Sequence, residues 1–122
     1  MKYLLLVHHN EEAFARMSEA TRKDLLVESI QLCHQLHEKG QYVHASPLQP
    51  TATGTLVRVR DGKPTVTDGP FIETHEQLAG YFLIEATDRN EAVAIAEHIP
   101  GARLGTVEVR PIRQVAGLPN ES

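Results

Sequence analysis

A chain of 122 residues, 41% hydrophobic and 23% charged, has the make-up of one ordinary globular domain, which excludes a disordered tail protein and a membrane-spanning class. Its formal charge of −4 argues against a phosphate backbone as partner, so nucleic-acid binding ranks last among the functions considered. The single cysteine, Cys33, excludes an intrachain disulfide and points to a reducing cytoplasm.

The first apolar run, Tyr3-Leu4-Leu5-Leu6-Val7, is too short for a signal-peptide core or a bilayer span, so a soluble, cytoplasmic protein without membrane contact is expected. It does not alternate, which predicts a strand covered on both faces and closing at His8-His9. Residues 9–17 read as a polar connection. Ser18 is a plausible N-cap for a long amphipathic helix, in which Leu25, Leu26, Ser29, Ile30, Cys33, Leu36 and His37 recur at helical spacing. Gly40 ends it as a C′ residue. Gln41–Ala45 is a short strand, and Pro47, Pro50 and Gly54 mark a loop.

Thr55–Arg60 alternates, with Val57 and Val59 on one side and Arg58 and Arg60 on the other. Asp61-Gly62 is a strong hairpin signal, and Pro64 puts the return strand, Thr65–Thr67, at a sheet edge. Asp68-Gly69-Pro70 breaks that strand. Thr74 and Gln77 have capping-box spacing and predict a helical turn, after which Gly80 releases the unbroken run Tyr81–Ile84. Asp88 with Glu91 predicts a second capped helix, stopped by Pro100-Gly101, and Thr106–Ile112 is a last strand. The domain is expected to span residues 1–113, leaving 114–122 as a flexible tail.

The order is strand, helix, strand, hairpin, strand, helix, strand. Two split βαβ units of this kind predict an α+β, ferredoxin-like antiparallel sheet with its helices on one face. The inner strands are then Tyr3–Val7 and Tyr81–Ile84, apolar on both sides, and no third long helix remains to cover the second face. An apolar surface of that extent is rarely left wet, so a symmetric homodimer packed sheet against sheet is expected.

The stretch Thr67-Asp68-Gly69-Pro70-Phe71, continuing through Glu73-Thr74 and Glu76-Gln77-Leu78 to Gly80-Tyr81-Phe82, resembles the signature of YCII-related proteins of the DGPF type. Leu48-Gln49-Pro50, Val57–Gly62, Ile99-Pro100 and Val107–Pro111 extend the resemblance over nearly the whole chain. It implies a dimeric α/β barrel of ferredoxin-like protomers. It also implies a His–Asp pair in a cleft for some relatives, a dehydrochlorinase acting on a hydroxylated aromatic ring among them, and an extracytoplasmic-function sigma factor as possible partner. Two departures matter. Counted from the Leu36–Gly40 helix end, the helical histidine of that pair falls near Ser29, and His75 stands where the family has lysine.

Asp68 is the leading candidate for acid–base work, its competing role being an Asx-type turn around Gly69. Glu73 is a possible second carboxylate or a charge favouring a helix start, and His75 a proton-transfer group or an exposed turn residue. Tyr81 and His8 are candidate binding residues. No metal or cofactor is expected: His34 and His37 lie three apart on one helix, but there is no His-Glu-x-x-His, cysteine pair or Gly-rich phosphate loop. Two functions follow as expectations, a small-molecule site catalysing elimination, isomerisation or hydrolysis in a dimer cleft around Asp68, and a non-catalytic regulatory protein.

Overall fold

In the computed structural model, which describes residues 1–119, the first apolar run forms β1 (Lys2–His9). Residues 9–17 are not a plain connection. Asn10 caps a short helix, α1 (Glu11–Arg16), by accepting from the Ala13 amide at 2.8 Å, and Glu11 and Glu12 sit in its first turn, where the helix dipole favours acid. Ser18 then caps α2 (Glu19–Glu38) by accepting from Thr21 N at 3.0 Å, and Gly40, at φ +72°, follows its end. After β2 (Tyr42–Pro47) and a single 3-10 turn at Thr51–Thr53 come β3 (Thr55–Arg60) and β4 (Lys63–Asp68). Asp61 and Gly62, at φ 52° and 74°, supply the two left-handed residues that a tight hairpin turn requires.

No helix forms at Thr74. The Thr74 hydroxyl donates to the Glu76 carbonyl, and Gln77 reaches back to the Thr74 carbonyl rather than to an amide. Gln77 is already the first residue of β5 (Gln77–Glu85), paired with His9 of β1, so the ladder holds the backbone that a helix would have used. Asp88 caps α3 (Arg89–Ala96), accepting from Glu91 N at 2.9 Å, while the Glu91 carboxylate accepts from Thr87 N. Pro100-Gly101 does not simply stop the chain's helical path. A four-residue helix, α4 (Gly101–Leu104), starts there before β6 (Thr106–Pro111). Residues 112–119 form neither helix nor strand, and the last three residues of the expected tail lie outside the described residues.

Four strands make one antiparallel sheet in the order β2-β5-β1-β6, and β3 and β4 pair only with each other. The two unbroken apolar runs are thus the inner strands, as expected. Tyr3, Leu5 and Val7 of β1 share a buried face with Phe82 and Ile84 of β5, covered by Leu32 and Leu36 of α2 and by Ala92, Ile95 and Ala96 of α3. On the opposite face Leu4, Leu6 and Leu83 are half-buried, Leu4 lying across from Leu83 and Leu6 from Tyr81. The hairpin is exposed along almost its whole length, Leu56 alone of its strand residues being half-buried, and Val57 and Val66 are each about two-thirds exposed. Among the described residues no helix is long and apolar enough to cross a membrane.

Candidate functional site

The buried residues of α2 lie in its C-terminal half, Leu32 and Leu36. Farther back, Leu25, Ser29 and Cys33 are only half-buried, and Leu26 and Ile30 are about half exposed. From Arg22 to Cys33 this helix stands over a cavity of about 220 Å³. Its walls are Leu25, Leu26, Ser29, Ile30 and Cys33 from α2, Val7 and His9 from β1, Phe82 from β5, Ala45 from β2 and Ile99. Phe14 of α1, Arg22 of α2 and Tyr81 of β5 also border it.

Strand alternation explains why His9 is there. It continues the series Tyr3, Leu5, Val7 on the helix side of β1, whereas His8 falls on the other face. The His9 ring stacks on Phe14 with centroids 4.5 Å apart. Burial lowers its pKa below the ordinary imidazole value, the charges of Glu11 and Glu76 opposing that shift. It is therefore a neutral base at physiological pH, with two carboxylates near enough to steady a proton once it is gained. Burial likewise pushes the Cys33 thiol up, which keeps it protonated and a poor nucleophile.

Polar bonds hold α1 against this wall. Asn10 Nδ2 donates to the His75 carbonyl at 2.8 Å, Glu11 N donates to Gln77 Oε1 at 2.8 Å, and the Glu11 carboxylate accepts from both the amide and the hydroxyl of Thr51. The segment from Asp68 to Gln77 is thereby fastened at its C-terminal end to α1, which contributes Phe14 to the cavity wall.

The segment's own side chains lie elsewhere. Asp68 is exposed at the end of β4, where its carboxylate accepts from Thr55 Oγ1 at 3.4 Å. The Gly69 amide goes to the Gly54 carbonyl at 2.9 Å, and the residue two beyond Asp68, whose N–H an Asx-type turn would use, is Pro70, which has none. Glu73 and His75 are exposed, and none of these three residues lines the cavity. Phe71 is exposed with the Arg58 guanidinium 5.7 Å from its ring centre. Tyr81 borders the cavity, but its hydroxyl bonds His44 Nδ1 at 2.7 Å and the two rings stack. His8 Nε2 meets Glu108 Oε1 at 3.3 Å. Of the predicted site residues only Tyr81 borders the cavity, and the histidine on its wall is His9 rather than His8 or His75. Among the described residues no set of three or more His, Cys, Asp or Glu side chains is arranged to hold a metal ion.

The chain matches the YCII-related domain family over residues 1–116. It is 30% identical over 114 residues to a protein of Rhizobium meliloti (strain 1021) described as uncharacterized, a match covering 92% of each chain. A family match of that length, together with a relative aligned nearly end to end, identifies this protein as a member of the YCII-related family.

Proposed function

We propose that this protein binds a small, largely apolar molecule between α2 and the sheet and moves a proton there through His9. The observation that carries the reading is a histidine kept neutral by partial burial on the wall of a mostly apolar cavity. At about 220 Å³ the space is below the ~300–1,000 Å³ common for drug-sized ligands, so the ligand is smaller than those. The neutral imidazole takes a proton from the bound molecule, Glu76 and Glu11 stabilise the imidazolium, and the proton is then returned or passed to water. Elimination, isomerisation and hydrolysis all use such a step. Fragment screening by NMR, with small phenols, ketones and acids, tests it. Ligands are expected to shift Val7, Ile30 and Phe82, and His9→Gln to keep binding while losing turnover. Shifts confined to the Asp68 turn, or full turnover in His9→Gln, would refute it.

The assembly belongs to the same proposal. Strand order β2-β5-β1-β6, with the buried residues of α2 and α3 on one face, supports the ferredoxin-like description. The half-buried Leu4, Leu6 and Leu83 support a second copy as the cover of the other face, in the manner of a dimeric α/β barrel. A second reading of the chemistry, with Asp68 as acid or base assisted by Glu73 and His75, depends on that assembly. What favours it is the exposed valine side of the hairpin, which has Asp68 at its base and invites cover that would desolvate the carboxylate. Asp68→Asn distinguishes the two, because it silences this reading and leaves the His9 site intact.

A further inference from the structure

At neutral pH Arg22 is the one charged side chain among the described residues that line the cavity. Arg103, Arg110 and Lys2 each have a carboxylate within 4.0 Å, at Glu28, Glu108 and Glu85. Arg22 has none among the described residues, and its guanidinium makes a single long bond, Nη1 to the Ala15 carbonyl at 3.4 Å. A guanidinium offers five donors in a planar fork, so most of this one's donors are left to solvent or a ligand. The other donors nearby are committed or weak. The Ser29 hydroxyl is given to the Leu25 carbonyl at 3.0 Å, and Cys33 keeps a poorly donating thiol.

We propose that the ligand of this cavity is an apolar monocarboxylate, its carboxylate gripped by Arg22 and its body packed on Leu25, Ile30 and Phe82. This rests on the cavity being the binding site, as argued above. Arg22 is the only charged group among the described residues of the cavity wall, the Glu11 and Glu76 carboxylates near His9 lying outside its lining. A ligand carrying one negative charge therefore meets one positive charge there, and partial burial strengthens such a charge-assisted pair over its value in water.

Titration calorimetry with phenylacetate, phenylacetamide and phenyl phosphate tests the assignment. Phenylacetate is expected to bind at least about ten-fold more tightly than the amide. Arg22→Gln is expected to weaken phenylacetate by about ten- to a hundred-fold and leave phenylacetamide unchanged. Arg22→Lys, which keeps the charge but loses the fork, should fall between, and this order separates recognition from a folding defect. Equal affinity for acid and amide, unmoved by Arg22→Gln, overturns the carboxylate assignment and leaves the cavity standing. Binding of neither probe overturns both, and a tenfold preference for phenyl phosphate overturns the single-charge argument.

Discussion

Leu4 and Leu5 are neighbours on β1 that point to opposite faces of the sheet, so truncating each in turn measures how well each face is covered. Leu5 is fully buried, and Leu5→Ala leaves a void under Phe82 and Val109, its cross-strand partners. A buried leucine cut to alanine costs about 3–5 kcal/mol, a large part of the ~5–15 kcal/mol that holds a domain together. Leu4 is half-buried beside Leu83 and Arg110. In a lone protomer its truncation removes apolar area already partly wet, and about 1 kcal/mol is the expected loss. Under a second copy the same truncation opens a cavity and costs about 3 kcal/mol. At about 4 °C per kcal/mol for a chain of this size, the alternatives lie near 4 °C and 12 °C of lost melting temperature. Circular-dichroism melts of wild type, Leu4→Ala and Leu5→Ala, each at about 2 and 200 μM, decide the matter, since a dimer also melts at a concentration-dependent temperature. A small Leu4→Ala effect with no concentration dependence would refute the covered face.

Gly105→Ala would set a Cβ 2.1 Å from the His8 carbonyl and 3.0 Å from His9 Cα. Backbone cannot swing aside there, so a loss of about 2–3 kcal/mol and a displaced His9 resonance are expected in urea melts and NMR. The His9 pKa is lowered on folding, so the unfolded chain binds that proton more readily. Stability therefore falls as pH drops through the ordinary imidazole value of 6.5 and levels off below the folded value. Urea unfolding at pH 7.5 and 5.5 should show a smaller acid loss in His9→Gln than in wild type, and equal losses would count against the half-buried, neutral ring. Asp88→Ala removes the cap on α3 and should cost about 1 kcal/mol, with Asp88→Asn nearly neutral in the same melts.

Features governed by local chemistry were readable before any coordinates. Ser18 and Asp88 as caps, Gly40 past the end of α2 and Asp61-Gly62 in the hairpin each have a steric or hydrogen-bonding reason confined to a few residues. The failures come where a distant partner decides. Thr74 and Gln77 have the spacing of a capping box, but Gln77 is taken by its ladder pairing with His9, more than sixty residues away in sequence. Six residues are too few for helical periodicity to reveal α1, although Asn10-Glu11-Glu12 carried the cap and the first-turn acid. At the site, the ionisable groups that are close along the chain, Asp68, Glu73 and His75, are not the ones that line the cavity. Extending the period-2 pattern of β1 by one step puts His9 on the helix side of the sheet and His8 on the other. Arg22 carried no such signal. It looks like any solvated helix residue until α2 is seen to stand over the cavity.

A ribbon of two strands joined to no larger sheet is marginal in water by itself. In this protein such a ribbon carries Arg58 and Arg60, peptide bonds that trypsin cuts, between valines about 60% exposed. A second copy seated on its valine side, as proposed above, would hold the ribbon folded. Nicking at those arginines would then act as a clock for that contact, slow while it persists and fast once dilution or a competing surface removes it.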